Sequence, residues 1–172
     1  MTAELVVDIG PKDCLFVVGK NHWTMDYGFE QVVKDHILSD PPKPEELSAA
    51  LSVVELYIDD FKRTELYEEV GLTEAVTFSG QAFELAAVEA GDGRTAEQMS
   101  GYKMSAESLE EVFRCLVTEN SDNRKHNPGL SPDMVDSILG VSVLVVEIAR
   151  QLEITDLAID TPTEVIKLRE VA

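Results

Sequence analysis

The chain has 172 residues, of which 44% are hydrophobic and 27% charged, as is ordinary for a soluble globular protein with a substantial core. Its formal net charge of −19 argues against nucleic acid and anionic membranes as partners, because both repel an acidic surface. The longest apolar run, residues 141–146, is too short to span a bilayer, and no signal-peptide pattern precedes the first apolar segment. We therefore expect residues 1–172 to form one cytoplasmic domain.

The first third of the chain is predicted to be extended. Residues 4–9 and 14–19 are rich in Val, Leu, Ile and Phe and predict two strands joined by a short turn. Residues 23–27 and 29–33 predict a third strand, interrupted near Gly28. An antiparallel meander is the expected start of the fold.

A proline-rich segment then introduces the first predicted helix. Pro44 suits a first helical turn, and apolar residues at helical spacing predict a helix over residues 44–62. Residues 74–80 predict a strand that runs into a glycine turn. The segment that follows predicts a short helix ending at Gly91.

The second half of the chain predicts mainly helices. Ser105 is the expected cap of one helix, and the polar segment 120–130 is expected to be a surface loop. Ser131 as N-cap and Pro132 at the next position predict a helix over 131–152, buried because it is apolar on all sides. Residues 155–160 predict a last strand and 163–171 one or two closing helical turns, giving the order β-β-β-α-β-α-(α-α)-β-α.

The cysteines and histidines show no metal-binding spacing. Cys14 and Cys115 each lie in an apolar-periodic context, which predicts two buried free thiols. His22, His36 and His126 are far apart in the sequence, so surface or structural roles are favoured over a metal-binding or general-base role.

The predicted order of elements is that of the ribonuclease-H-like fold, an α/β fold shared by the actin and sugar-kinase group. Nearly all of the chain resembles the second half of the phosphatase core of the exopolyphosphatase/guanosine pentaphosphate phosphatase (Ppx/GppA) family. The resemblance rests on four segments in the family's order: VVDIG at 6–10, GFEQVVKDHILSDPPKPEEL at 28–47, FSGQAFELAAVEAG at 78–91 and NPGLSPDMVDSILGVSVLVVEIARQL at 127–152.

The first segment departs from the family where phosphate would bind. The family has D-I-G-G-G-S-x-E there, a loop whose backbone N–H groups and hydroxyl hold a phosphate. Asp8 and Gly10 are retained in this chain, but Pro11 removes an N–H donor, Lys12 replaces a glycine and Asp13 replaces the hydroxyl. The resemblance therefore implies a degenerate phosphate loop.

Other family positions change in the same direction. Gln31 and Met134 stand where the family has arginines, although Asp136 keeps the aspartate of the family's R-A-D motif. Asp160 and Glu164 fall in a segment where the family has serine and glycines. Phosphoryl transfer depends on electrostatic stabilisation of an anionic group, so these losses predict little remaining activity.

Several residues remain candidates for ligand binding, each beside a simpler interpretation. Asp8 would hold Mg²⁺ in an active relative, or it is an inherited turn carboxylate. The turn at Ser79 and Gly80 precedes a helix and would cradle an anion, or it only joins two elements. Asp136 either orients the Asp8 turn or interacts with the start of its own helix. The candidate ligand-binding residues are Asp8, Gly10, Lys12, Ser79, Gly80 and Asp136.

Three functions are compatible with this sequence. The leading hypothesis is a catalytically degenerate, stand-alone domain that acts in binding or assembly. The alternative is an active phosphoanhydride hydrolase, alone or completed by a partner chain, because the family's active site lies between two domains. A third is a module that binds a nucleotide or small anion without turnover. Trp23, Met25, Tyr27 and Phe29 would share one face of an extended strand. The simpler interpretation is that this face packs on the helices of the same domain. The alternative is a pairing surface in a homodimer or in a complex with a two-domain family member, because aromatic residues and Met are enriched at interfaces.

Overall fold

A six-stranded mixed sheet organises the part of the chain that the computed structural model describes, residues 4–70 and 75–171. The strand order is β3-β2-β1-β4-β6-β5; β1, β2 and β3 form an antiparallel meander, β4 and β6 run parallel to β1, and β5 is antiparallel to β6. The strands are β1 Leu5–Ile9, β2 Cys14–Val18, β3 Asn21–Met25, β4 Ala75–Gly80, β5 Lys103–Ser105 and β6 Asp156–Ile159. The predicted α/β fold class is confirmed, while the predicted first residue of β4, Glu74, lies outside the described residues.

Eight α-helices accompany the sheet in the described ranges. They are α1 Phe29–His36, α2 Pro44–Lys62, α3 Glu65–Val70, α4 Ala82–Ala90, α5 Ala106–Thr118, α6 Ser121–Arg124, α7 Ser137–Gln151 and α8 Thr163–Val171. Over these same residues, none of the helices combines the length and apolar composition needed to cross a bilayer.

The sheet has a thick core on one face and a thin one on the other. Alternate side chains of a strand point to opposite faces of the sheet. Leu5 and Val7 of β1 therefore enter the main core, where α7 is the central helix and packs against α1, α2, α4 and α5. Val6 of β1 faces the other way and packs with Val165 of α8 in a small second cluster. Helix α8 therefore lies against β1 and β2 beside the strand ends, and this position brings its last turn to the candidate site.

The prediction of a third strand is correct only in its first half. The chain forms β3 and then turns into α1 at Gly28, whose N–H donates to the side chain of Gln31 at 2.8 Å. The β-branched Val32 and Val33 favoured a strand in the sequence. Packing against α7 decides otherwise: an added Cβ at Gly140 would lie 2.4 Å from the Phe29 carbonyl oxygen, so the two helices approach closely.

The predicted helix over 131–152 is shorter in the structure. A 3₁₀ turn occupies Pro132–Met134, and α7 begins only at Ser137. The Ser131 hydroxyl does not cap the helix but donates to the Glu84 carboxylate at 2.5 Å. The Ser131 hydroxyl, which the sequence predicts as a helix N-cap, is thus used in a hydrogen bond to the Glu84 carboxylate of another helix.

The predicted surface loop at 120–130 contains a buried cation. Helix α6 carries Arg124, which is only 1% exposed. Its guanidinium donates to the backbone oxygens of Val135 at 2.9 Å and Glu119 at 2.5 Å, and it lies 3.4 Å from the Asp40 carboxylate. The prediction of a surface loop is therefore only partly correct, because residues 121–124 form α6 and the arginine ties the segment to the core.

The two thiols differ in their surroundings. Cys14 is buried, as predicted, and burial raises the pKa of its thiol to about 12. Cys115 is exposed, so the prediction that it is buried was wrong. The inward face of α5 is formed by Leu109, Phe113 and Leu116, and Cys115 lies off that face.

The aromatic segment at 23–29 packs inside the molecule. Met25, Tyr27 and Phe29 are buried, and the Trp23 ring lies 5.3 Å from the Phe16 ring. The simpler interpretation, that this face packs on the helices, is therefore confirmed. The homodimer or two-domain complex stays a prediction that light scattering at micromolar protein would test, and it no longer draws support from this segment.

Candidate functional site

The carboxyl ends of β1 and β4 lie side by side and form the floor of the candidate site. These strands are parallel neighbours, with Asp8 opposite Ser79 and Ile9 opposite Gly80. The Ser79 hydroxyl donates to Asp8 Oδ1 at 2.5 Å, and both side chains are buried. Ligands of α/β proteins commonly bind outside the carboxyl ends of such strands, so this position is favourable for a binding site.

The turn between β1 and β2 presents backbone carbonyl groups to the start of α1. The Gly10 N–H donates to the Asp13 carbonyl at 3.0 Å and closes the turn. The first N–H groups of α1 donate to the carbonyls of Gly10 and Pro11, from Phe29 at 3.1 Å and from Glu30 at 2.9 Å. These donors at the positive end of α1 are therefore satisfied by the turn itself rather than offered to an anion.

A residue that sequence reasoning did not identify, Arg169, closes the site. Its Nε donates to Asp8 Oδ2 at 2.7 Å, and its Nη1 donates to the Asp13 carboxylate. Burial acts to lower the pKa of the Arg169 guanidinium, but hydrogen bonds to Asp13 and Asp8, together with their charges, raise it above its usual value. The guanidinium stays charged and pairs with both carboxylates.

Space beside Gly10 and Gly80 is tightly limited. Gly80 has a φ of +67°, and an added Cβ there would lie 2.3 Å from the Ile9 carbonyl oxygen. An added Cβ at Gly10 would lie 2.6 Å from the Asp13 carbonyl oxygen and 2.8 Å from Arg169 Nη2. Both glycines are needed because the backbone of the two turns passes too close for any side chain.

A buried carboxylate occupies the first turn of α4, beside the Gly80 turn. Glu84 is 6% exposed and accepts hydrogen bonds from the Ser131 N–H at 3.2 Å and hydroxyl at 2.5 Å. A negative charge near the start of a helix is favourable for the helix, but it competes with an anionic ligand at the same place.

These elements enclose an open cavity of about 880 Å³, bounded by the two strand ends, α4, α8 and the turns at 96–98 and 132–134. Only one cationic side chain, Arg169, is found among the described residues that line it. The apolar part of the cavity lining is formed chiefly by Phe83, Met134 and Ile166. The lining carboxylates are Asp8, Glu84, Glu97, Asp133 and Glu170.

Four of the six candidate residues come together here. Asp8, Gly10 and Gly80 line the cavity and Ser79 lies directly behind Asp8. Lys12 is exposed and does not line the cavity. Asp136 occupies the N-cap position of α7, where its side chain is 76% exposed and lies 3.5 Å from Arg124. The Asp136 side chain makes no cap hydrogen bond at the start of α7, and its ion-pair partner is Arg124, so neither of its two interpretations describes this contact.

The arrangement around Asp8 does not fit the Mg²⁺ ion that the resemblance implies for an active relative. One Asp8 oxygen accepts from Ser79 and the other from Arg169. Within residues 4–70 and 75–171, no group of three or more His, Cys, Asp or Glu side chains is arranged to hold a metal.

No local signal in the sequence points to Arg169. It lies 161 positions from Asp8 and 156 from Asp13 in the sequence. The sequence of its helix, α8, contains no recognised ligand-binding motif. A basic residue in a last helical turn is usually explained by the helix dipole alone. Only the docking of α8 on the sheet reveals its partners.

The sequence matches no protein-family model and no curated protein. Solved structures nevertheless match over almost its full length. An exopolyphosphatase-like protein has a TM-score of 0.86 at 18% identity, covering 99% of this chain and 60% of that chain. The type II variant of the Aquifex aeolicus Ppx/GppA phosphatase gives 0.80 at 16%, covering 98% of this chain and 57% of that one. An exopolyphosphatase from Cytophaga hutchinsonii gives 0.73 at 14%, with 99% and 57% covered.

These likenesses concern the fold. This chain spans about 57–60% of the length of the structures it matches, which is consistent with one domain of a larger phosphatase core. The predicted resemblance is confirmed at that level: the chain has the α/β domain fold of the Ppx/GppA proteins.

Proposed function

We propose that this chain is a catalytically inactive, Ppx/GppA-like domain that keeps the cavity at its strand ends for binding. The observation that carries the proposal is the contact of Arg169 with Asp8 and Asp13. The turn that would hold a phosphate in the Ppx/GppA pattern is closed in this chain by an internal ion pair.

The charges around the turn support the loss of catalysis. An incoming phosphoanhydride would meet five carboxylates and a single guanidinium that is already paired. Removing one donor that stabilises the transition state typically costs about 2.7–4 kcal/mol. Pro11 removes one such backbone donor, and the Asp13 carboxylate adds repulsion at the same turn.

One observation favours the alternative, an active phosphoanhydride hydrolase that a partner chain or a further domain completes. Arg169 lines the cavity and is partly exposed. If it left Asp13 on substrate binding, its guanidinium would supply some of the positive charge that Gln31 and Met134 do not. A bidentate guanidinium is well suited to a phosphoryl group.

Phosphate release separates the two functions. The purified protein is incubated with polyphosphate, guanosine pentaphosphate or pyrophosphate in the presence of Mg²⁺, alone and with a two-domain relative added. We expect no release beyond that of the added relative. The Asp8→Asn and Arg169→Gln variants serve as controls for contaminating phosphatases. Turnover on the order of 1 s⁻¹ that either substitution abolishes would overturn the proposal and establish the hydrolase.

A further inference from the structure

The cavity already holds a cationic group that belongs to the chain itself. The Arg169 guanidinium contacts the carboxylates of Asp8 and Asp13 and lies 3.4 Å from the Asp13 carbonyl oxygen. The hydrogen bond from Ser79 fixes the Asp8 carboxylate in place. A pair of oriented carboxylates beside a carbonyl forms a receptor for a planar guanidinium, which donates in several directions within one plane.

The remaining walls suit a small cation with an alkyl chain. The parts of the wall that do not belong to α8 include Phe83 and Met134, which are apolar, and the carboxylates of Glu97 and Asp133. Glu97 and Asp133 are exposed, so their charges face the cavity mouth rather than the core. A volume of about 880 Å³ lies within the range of small-molecule sites.

The helix that supplies Arg169 is held by few apolar contacts. In α8 only Val165 is fully buried, and Leu168 packs partly against the small cluster of Val6, Leu15 and Val17. Ile166, which borders the cavity, is 45% exposed, and Val171 is 89% exposed. An element with so small a buried face opens at a low free-energy cost compared with the core helices.

From these contacts we infer that the cavity is a binding site for alkylguanidinium compounds and that Arg169 is its internal competitor. When Arg169 leaves, the ligand's guanidinium takes its place between Asp8, which lines the cavity, and Asp13, which lies beside it, and the ligand's alkyl chain lies along Phe83 and Met134. Binding is reversible and no covalent bond changes. The inference rests on the proposed binding role of the cavity and names the ligand class that this role requires.

Agmatine, an alkylguanidinium with a second cationic end, is the probe. Its binding is measured by calorimetry at fixed salt with the full chain, with Arg169→Gln, and with Arg169→Gln combined with Asp13→Asn. N-butylurea, which replaces the guanidinium with a neutral urea, is the ligand control. Arg150→Gln is the matched protein control: Arg150 also pairs with an acidic residue, Glu110 at 2.6 Å, but it lies outside the cavity.

Removing the internal competitor should strengthen agmatine binding about tenfold, the change that about 1.4 kcal/mol of affinity represents. Arg150→Gln should bind like the parent chain, although it makes the same change in net charge. Adding Asp13→Asn to Arg169→Gln should abolish the gain. Hydrogen exchange in α8 of the parent chain should rise when agmatine is present, because the ligand displaces the helix.

Equal affinity in the parent, Arg169→Gln and Arg150→Gln would overturn the inference, as would binding that survives Asp13→Asn or that N-butylurea reproduces. If Arg169→Gln does not fold, Arg169→Lys is measured instead: it keeps the charge but loses the planar fork, so the competitor is weakened rather than removed and the gain in agmatine affinity should be smaller. Absence of agmatine binding together with absence of phosphate release would overturn this inference alone. Phosphate release that depends on Asp8 would overturn the proposed function.

Discussion

The Ser79 hydroxyl donates a hydrogen bond of 2.5 Å to the Asp8 carboxylate and so joins the ends of two parallel strands, 71 positions apart in the chain. Both residues are buried, and the second Asp8 oxygen accepts from Arg169. Ser79→Ala would leave Asp8 Oδ1 without this donor. We expect a loss of about 1–3 kcal/mol in the free energy of unfolding, measured by urea denaturation.

Ser142→Ala is the matched control for that substitution. Ser142 is also fully buried, but its hydroxyl donates to the Leu139 carbonyl within its own helix at 2.9 Å. Its removal leaves no carboxylate unsatisfied, so the change should be smaller. Equal losses in the two variants would show that the hydroxyl at the strand ends has no special role.

The Gly80 turn should tolerate no side chain. Gly80→Ala places a Cβ 2.3 Å from the Ile9 carbonyl oxygen at a φ of +67°. Gly19 has a similar φ of +59°, but nothing lies within 4 Å of an added Cβ there. Gly19→Ala should cost about 1–2 kcal/mol from backbone conformation alone, and Gly80→Ala should cost about 1–3 kcal/mol more from crowding. Thermal denaturation compares the two, and equal costs would contradict the close approach of the two turns.

Restoring the phosphate-binding pattern of the first turn should raise anion affinity without restoring turnover. Replacing Pro11, Lys12 and Asp13 by Gly, Gly and Ser returns backbone donors and removes a carboxylate, and it also deprives Arg169 of one partner. Calorimetric titration with sulfate measures the gain. Lys12→Gly alone is the control, because Lys12 does not line the cavity. If the triple variant binds sulfate no better than the parent chain, the turn is not a lapsed phosphate loop.

The two thiols should differ in reactivity. At about pH 8 a disulfide reagent should modify only Cys115 in the native protein, and Cys115→Ser should remove that reaction. Cys14 should react only after unfolding, since its pKa is raised to about 12 by burial. Two thiols titrated per native chain would contradict this.

The raised pKa of Cys14 also predicts an alkaline loss of stability. Because the unfolded thiol ionises near 9.0 and the folded one near 12, this contribution is fully present below about pH 9 and is lost as the pH rises toward 12. Denaturation midpoints of Cys14→Ala and the parent chain, measured across that range, should therefore converge as the pH rises.

Arg124 should be a main support of the segment that the sequence marked as a surface loop. Its guanidinium holds the backbone oxygens of Val135 and Glu119, and Arg124→Ala would leave them without that donor. We expect a loss of about 2–3 kcal/mol. Arg63→Ala is the control, since Arg63 pairs with Asp60 on the surface at 79% exposure and should change stability by less than about 0.5 kcal/mol. Comparable small losses would show that Arg124 is not structural.

The sequence by itself determined the elements whose signals are local. Runs rich in Val, Leu, Ile and Phe identified β1 and β2, and helical spacing identified α2. Asp8 and Gly80 were predicted as candidate ligand-binding residues from the family resemblance and from their positions at strand ends, and both line the cavity. The same local patterns, together with their order, led to the correct fold.

Only the tertiary structure decided what those residues contact. Arg169 reaches Asp8 across 161 positions, and Ser131 gives its hydroxyl to Glu84 across 47 rather than capping a helix. Segment 29–33 favours a strand by composition but becomes α1. Local propensities amount to a few tenths of a kcal/mol per residue, whereas burying a charged group requires a specific partner. That partner is set by how helices dock on the sheet, and no window of the sequence contains both members of such a pair.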